Sequence, residues 1–424
     1  MNSVKAIIRN ISRGIVPAGY KQTKLGIIPE TWDTPELNTV LTESKARNRN
    51  NLYSRNDVLS VSGEMGVTNQ IDLLGRSFAG KSVLEYHVVE HGDVVYTKSP
   101  LKANPYGIIK QNKGQAGIVS TLYAVYHPGS YSAGTYLDYY FSLDQNVNNY
   151  LRPLVRKGAK NSLEINNDDT LKGTIVFPPE KERSKILEVL ECCDTIIHLK
   201  RELVEEKKKQ KKSLMQKLLD PNSGFRLPGF KGEWISYKIS QIAKIESGGT
   251  PSTSVPEYWD GGIMWCTPSD VTSCSKYLHN TERTITESGL NNSSAVLLPV
   301  GSIVMCSRAS VGPHAIITVP LATNQAFKSF ICSESLNNEF WYYYLDTIVK
   351  DFQRLAGGNT FKEVSKYAVE NFEVRIPEYR EQQAIAKVLS SADHELDLLE
   401  QDLTQWEQKK KSLMQLLLTG KVRV

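Results

Sequence analysis

The chain has 424 residues, 40% apolar and 23% charged, a folded globular composition with length for two or three domains rather than a disordered one. Fifty-one Lys and Arg against 46 Asp and Glu leave a net charge of +5, which permits a nucleic-acid partner without demanding one. No apolar run approaches the roughly 20 residues of a membrane span, and residues 1–16 hold no signal-peptide core, so the expected location is cytoplasmic. The six cysteines (Cys192, Cys193, Cys266, Cys274, Cys306, Cys332) follow no disulfide or zinc spacing and read as reduced, small, apolar-like residues.

The first half opens on Gly19-Tyr20-Lys21 and Ile28-Pro29-Glu30-Thr31-Trp32. Two motifs then suggest chemistry that their surroundings do not support. Gly75-Arg76-Ser77-Phe78-Ala79-Gly80-Lys81-Ser82 satisfies the P-loop spacing, but a phosphate cradle needs a strand leading in and a helix leading out. Here Thr68–Asp72 is polar and Val83–Val89 is β-branched and aromatic, so no nucleotide is expected. His87-Val88-Val89-Glu90-His91 spells a zinc pattern whose ligands converge only on a helix. The residues predict a strand running into a turn at Gly92, and four residues along a strand span about 13 Å, too far to share a metal. Strands are predicted at Val94-Val95-Tyr96, Ala116-Gly117-Ile118-Val119 and Tyr123-Ala124-Val125-Tyr126, and a helix near Tyr136–Leu143.

After Pro179-Glu180 comes a long helical track: Ile186, Leu190, Cys193, Ile197, Lys200, Val204, Lys207, Lys211, Leu214, Leu218. Its middle reads as too basic to pack tightly as a zipper. The run Lys207-Lys208-Lys209-Gln210-Lys211-Lys212 admits three readings: a phosphate contact, a face on a partner, or a solvated face paired with Glu202, Glu205 and Glu206 one turn back.

The second half opens on Gly224-Phe225-Arg226 and Phe230-Lys231-Gly232-Glu233-Trp234. Strands are predicted at Val296-Leu297-Leu298, Ile303-Val304-Met305-Cys306 and Ala315-Ile316-Ile317, and a helix over Asn338–Leu355. After Pro377-Glu378 a second long track follows: Ile385, Leu389, Ala392, Leu396, Leu399, Leu403, Trp406, then Lys410, Leu413 and Leu417. Here the chain repeats itself. Lys211-Lys212-Ser213-Leu214-Met215-Gln216 returns letter for letter as Lys410-Lys411-Ser412-Leu413-Met414-Gln415, 199 residues later (410 − 211). Ile186, Val189, Leu190 and Asp194 find Ile385, Val388, Leu389 and Asp393 at the same offset. A period this long is a duplicated domain-plus-helix, not a solenoid repeat. Each helix is about 57 Å of rod. The two rods either pack together and hold the globular parts apart or lie as two independent surface helices.

Taken in order, these passages resemble the specificity subunit of type I restriction–modification systems. The resemblance rests on the paired Pro-Glu, helix, Lys-Lys-Ser-Leu-Met-Gln repeats and on several passages between them. In the second half these are Glu246–Ser252, Pro256-Glu257-Tyr258-Trp259, Ser307–Gly312, Thr323–Lys328 and Gly358–Val364. In the first half they are Gly92–Ser99 and Pro105-Tyr106-Gly107. The resemblance implies an α+β fold: two mixed α/β target-recognition domains separated by two long antiparallel coiled-coil helices, with an internal pseudo-twofold repeat. The boundaries expected are 1–178 for the first recognition domain, 179–220 for the first spacer helix, 221–376 for the second domain, and 377–424 for the second helix and tail. It also implies double-stranded DNA as ligand and, as partners, two methyltransferase subunits with restriction/translocase subunits carried through them. S-adenosylmethionine, ATP and Mg would sit on those partners, with no cofactor, metal or catalytic residue on this chain. Because the halves diverge outside their openings and helices, the target should be an asymmetric pair of half-sites set by a spacer. The competing expectation is a coiled-coil protein-interaction scaffold without DNA binding.

Base edges are read by Arg or Lys on guanine and by Asn or Gln on adenine. In the first half Lys98, Lys102, Lys110, Arg156, Lys157, Lys160 and Asn161 offer that chemistry or a phosphate contact. In the second half Arg308, Asn324, Gln325 and Lys328 do so, with Gly358, Asn359 and Thr360 in a loop whose glycines allow close backbone approach.

Overall fold

The computed structural model describes residues 4–157, 163–357 and 363–424. It divides into two compact units, and neither is continuous in sequence. Met1–Lys200 joins Asp402–Val424 in one, and Arg201–Gln401 forms the other. The long helices, Glu180–Leu219 and Tyr379–Leu417, therefore each contribute to both units. Both begin just after a proline, which cannot occupy a helix interior, and carry glutamates in their first turn, where the helix dipole favours negative charge.

The first unit is built on a four-stranded antiparallel sheet in the order Leu41–Glu43, Tyr123–Pro128, Val94–Thr97, Ile108–Gln111. Two short antiparallel pairs, Leu59–Ser62 with Gly66–Asn69 and His87–Val89 with Gly117–Val119, lie beside it. The helix Tyr131–Phe141 supplies Tyr136 and Leu137 to a core that includes Trp32, Tyr96 and Tyr126. Ile186 and Leu190 of the first long helix, Met414 and Leu417 of the second, and Leu418 just beyond its end close that core. Each such aliphatic side chain contributes about 1.5–3 kcal/mol on full burial.

In the second unit the sheet order is Ala243–Ser247, Phe327–Cys332, Ile303–Cys306, His314–Ile317 and Tyr277–Leu278. Its first four strands are antiparallel in the same spatial order as those of the first unit. A three-stranded sheet (Arg283–Ile285, Trp259–Cys266, Leu321–Thr323) adjoins it. Here Asn338–Leu355 brings Phe340, Trp341 and Tyr344 to a core shared with Trp234 and Phe330. Ile385 and Leu389 close that core together with Leu218 and Leu219. The duplication is thus structural at residue level: Ile186 and Ile385, Leu190 and Leu389, Leu218 and Leu417, Leu219 and Leu418 do the same work.

Within each unit the two long helices pack against each other and run antiparallel. In the first, Asp194 meets Lys410 and Lys200 meets Asp402. In the second, Lys207 meets Glu395 at 2.6 Å, Lys208 meets Glu400 at 2.9 Å, and Lys211 meets Asp393. The expectation that the basic middle of the first helix packs poorly is therefore corrected: its lysines are matched by carboxylates on the other helix. Of the partners expected one turn back, Lys208 also contacts Glu205, at 3.3 Å.

Other sequence expectations need adjustment. Val296-Leu297-Leu298 is not a strand. Val296 and Leu297 are exposed, and a single bridge from Leu298 to Leu321 is all that forms before Pro299, which lacks a backbone donor. An amphipathic helix at Val4–Ser12 went unread. The P-loop-like segment follows a five-residue helix, Gln70–Leu74, and leads by irregular chain into the strand His87–Val89, the reverse of the required strand-to-helix order. His87 lies on that strand, buried, while His91 sits at the following turn and contacts the Gly114 carbonyl. No group of His, Cys, Asp and Glu among the described residues could hold a metal, and no helix among them is long and apolar enough to cross a membrane.

Candidate nucleic-acid interface

The shared strand order lets the two units be compared register by register. Tyr123 pairs with Thr97 as Phe327 pairs with Cys306, and Tyr126 with Val94 as Phe330 with Ile303. Glu43 opposite Tyr126 then corresponds to Ile245 opposite Phe330. By this register Ser44–Asn48 correspond to Glu246–Thr250, of which Glu246 and Ser247 are still paired in the second unit's strand, and Lys98 stands where Ser307 does.

At this sheet end in the second unit several chain segments converge. Gly248 and Gly249 pass so close to the Thr323–Asn324 backbone and to Ser294 that a Cβ at either would overlap them. Thr250 donates its hydroxyl to the Gln325 side-chain oxygen at 2.5 Å, and the Asn324 side chain accepts from the Ala326 amide at 2.9 Å. Arg308 and Gly357 both bridge to Glu363, and the Val364 amide donates to the Ser307 carbonyl. Thus Arg308, Asn324 and Gln325 are brought together, with Gln325 exposed. Lys328 is not presented with them. It is 4% exposed, and its ammonium is turned inward to Ser307 Oγ at 3.4 Å and Glu363 at 3.3 Å. Gly358, Asn359 and Thr360 lie outside the described residues.

Among the first unit's candidates, Lys102 and Arg156 are exposed, Arg156 on a two-residue strand opposite Glu164. Lys157 shares that strand; Lys160 and Asn161 lie outside the described residues. Lys98 instead donates to the Ile165 carbonyl at 2.9 Å and the Asn167 side chain at 2.8 Å. Lys110 is buried in its strand and donates to Ser142 at 2.6 Å. Burial lowers the pKa of both lysines, opposed by Glu43 at Lys98 and by Asp138 at Lys110. Lys98 and Lys328 therefore each supply one inward cation at equivalent sheet ends, from neighbouring strands.

The register exposes what the sequence reading missed. Lys45-Ala46-Arg47-Asn48-Arg49, the counterpart of Ser247–Pro251, brings three cations to the first unit's sheet end, with Lys45 and Arg49 exposed. Its signal in the sequence is a cation at every second position. Arg283 also went unread; it stacks over the Trp259 ring at 3.8 Å and faces Trp265 at 5.3 Å.

Away from these ends, the repeated residues form matched polar clusters. Tyr139 donates to Asp194 at 2.6 Å, and Lys410 reaches the same carboxylate and lies over the Tyr139 ring. Tyr343, Asp393 and Lys211 repeat this in the other unit. Burial, and then the hydrogen bond to Asp, keeps each of these phenols protonated as a donor. Glu182 accepts from Trp32 at 3.0 Å and from Arg423 at 2.9 and 3.0 Å; Glu381, at the same repeat position, accepts from Arg226.

Two units of one design, sharing strand order and helix contacts but differing at the loop-bearing sheet ends, define an internally duplicated α/β protein. The family model for the type I restriction modification DNA specificity domain matches residues 231–408. The specificity subunit of the type I restriction enzyme MjaIX from Methanocaldococcus jannaschii is 36% identical over 187 residues, 43% of each chain. The chain thus spans less than half the length of that relative. The putative MjaX specificity subunit of the same organism is 26% identical over 443 residues, 96% of this chain and 97% of its own. The HsdS subunit from Thermoanaerobacter tengcongensis shares the fold at a TM-score of 0.52 and 16% identity, covering 93% of this chain and 98% of that one. Residues 231–408 thus match a type I restriction modification DNA specificity domain, and the chain as a whole is similar to specificity subunits of type I systems.

Proposed function

We propose that this chain recognises DNA for a type I restriction–modification complex, reading an asymmetric two-part target and carrying the catalytic subunits. The observation that carries this reading is the pair of equivalent sheet ends. Both are built by the same strand order, but one carries Lys45, Arg47 and Arg49 where the other carries the half-buried Ser247 and the buried Gly249 and Pro251. Identical geometry with different side chains suits two similar domains that read different half-sites. On this reading Arg308, Asn324 and Gln325 meet bases or phosphates, and Lys98, Lys110 and Lys328 shape the surface from inside.

Docking is supported by the repeat itself. Lys212, Ser213 and Gln216 are exposed, and so are their copies Lys411, Ser412 and Gln415. A surface kept identical twice fits one kind of partner bound twice, as two methyltransferase subunits would be, with restriction/translocase subunits attached through them. Methyl transfer to adenine and ATP-driven cleavage, with S-adenosylmethionine, ATP and Mg, then belong to the partners. Mapping methylated adenines in cells carrying the complete system tests the proposal. The expected motif is asymmetric and bipartite, and exchanging only the globular part of 221–376 changes one half of it. A single continuous palindrome, or no change on exchange, overturns the reading in favour of a scaffold that does not read DNA.

A further inference from the structure

Six buried side-chain polar atoms among the described residues have no hydrogen-bond partner, and two of them, Ser44 Oγ and His87 Nδ1, belong to residues that line one pocket of the first unit. Ser44 is 3% and His87 2% exposed. Buried polar atoms are almost always paired, so two orphans around one cavity point to a polar guest. The remaining lining is Glu43, Lys45, Arg47 and Arg49, around a volume of about 400 Å³. That is ample for a phosphate group and the chain that carries it.

The charges are arranged for an anion. Lys45 is exposed. Arg47 donates one nitrogen to the Glu85 carbonyl at 3.0 Å, which anchors the guanidinium and leaves its other donors available. Arg49 meets the Glu85 carboxylate at 3.4 Å in an exposed pair, weak enough to exchange partners. The one acidic lining group, Glu43, is already engaged by the Asn167 amide at 2.6 Å. Burial, then Arg47 and Lys98, lowers the His87 pKa to about 4, so the ring is neutral at physiological pH and one of its nitrogens carries a proton to donate.

We infer that the pocket formed by Ser44–Arg49 and His87 is a phosphodiester-binding site that grips the backbone of the DNA duplex. Ser44 Oγ–H and the His87 ring N–H donate to one phosphate oxygen each, and Lys45 and Arg47 neutralise the charge. This rests on the DNA-recognition reading above and adds a site to it. The site lies at the sheet end where the second unit places Gly248–Thr250. It fixes where the first unit sits along the duplex and so sets the register in which the same sheet end meets its half-site.

The test is the salt dependence of full-length protein binding to a mixed-sequence duplex. Each phosphate contact contributes about 0.9 to the slope of log K against log salt. The Lys45→Gln/Arg47→Gln double variant should therefore lower the slope by about 2, so that its affinity falls about tenfold less than wild type between about 50 and 200 mM salt. Ser44→Ala, which deletes only an unpaired hydroxyl, should weaken binding without loss of fold. Lys24→Gln, an exposed charge on the Tyr20–Thr23 hairpin turn, should change nothing. A double variant with wild-type slope and affinity overturns this site and leaves the DNA reading standing; a wild type that binds no duplex overturns both. A second arm follows the His87 imidazole resonances, assigned with His87→Gln, during titration with inorganic phosphate and with duplex. Shifts with duplex support the inference. Shifts with inorganic phosphate that duplex neither reproduces nor displaces would make this a free-phosphate site and overturn it.

Discussion

Glu182 and Glu381 occupy the same place in the repeat, yet breaking their ion pairs should have unequal consequences. Arg423 is 46% exposed and Arg226 27%, against carboxylates 7% and 1% exposed. Arg423→Ala removes two charge-assisted hydrogen bonds but leaves Glu182 the Trp32 indole, and solvent screens the exposed guanidinium. The expected cost is about 1 kcal/mol. Arg226→Ala strips Glu381, a nearly inaccessible carboxylate, of its guanidinium, and the cost should be about 3 kcal/mol, the lower end for breaking a buried pair. For Glu182 burial opposes ionisation, but the hydrogen bonds from Arg423 and Trp32 outweigh it, so its folded pKa lies below the ordinary 4.5. A depressed acid pKa means that the stabilisation is complete above the unfolded value and is lost as pH falls through the folded one. In wild type the contact should therefore weaken below pH 4.5, and Arg423→Ala should flatten that acid-side loss. Urea midpoints at neutral and acid pH measure the size of each effect. Peptide-resolved hydrogen exchange over residues 20–32 with 180–190, and over 224–235 with 379–390, assigns each loss to its unit. Equal costs, or a larger one for Arg423→Ala, would refute the reasoning from burial.

Two further outcomes follow from the same contacts. A double-mutant cycle on Lys211 and Asp393, both about a quarter exposed, should give a coupling of about 1 kcal/mol that fades in about 1 M salt; the Lys410–Asp194 cycle should give less, because Asp194 is more exposed. Gly248→Ala drives a methyl group into the Thr323 and Asn324 carbonyls and should lower stability by about 1–3 kcal/mol in thermal unfolding, while Gly262→Ala, with open space around it, should not.

The letter-for-letter repeat made the long helices legible, and uninterrupted apolar runs such as Val94–Thr97 and Ile303–Cys306 made the central strands so. What stayed hidden was where each apolar or charged face goes. Periodicity shows that Leu218 and Leu219 face inward, but not that they enter the core of Trp234 and Phe330 rather than that of Trp32 and Tyr96. For that reason a discontinuous pair of units could not be read from a sequence repeat that looks like two consecutive halves. The lysines failed differently. Lys98, Lys110 and Lys328 are indistinguishable in sequence from exposed cations, because Ser142, Ile165, Asn167 and Glu363, which turn them inward, are between 32 and 69 positions away. Lys45, Arg47 and Arg49 were missed for the complementary reason: only the strand register makes them the equivalents of residues in and beside the Gly248–Thr250 loop.

A duplicated chain sorts its own residues by what each position must do. Where both copies agree and the side chain is inward, as at Ile186 and Ile385 or Leu190 and Leu389, the shared demand is internal: one helix face must fit one kind of core. Agreement at exposed positions, as at Lys212 and Lys411, cannot come from packing, so on the proposed reading it answers to the same partner met twice. Disagreement at equivalent positions of the sheet ends, as at the exposed Lys45 against the half-buried Ser247, is on the proposed reading what two different stretches of DNA would require. The fold tolerates that divergence because the loops carrying it hang from strands whose inward residues do not change role. Val94, Tyr96 and Tyr126 in one unit, and Ile303, Met305 and Phe330 in the other, hold the same register whatever the loops present. On the proposed reading, specificity can then change at the sheet ends without disturbing the helices that carry the repeated surface.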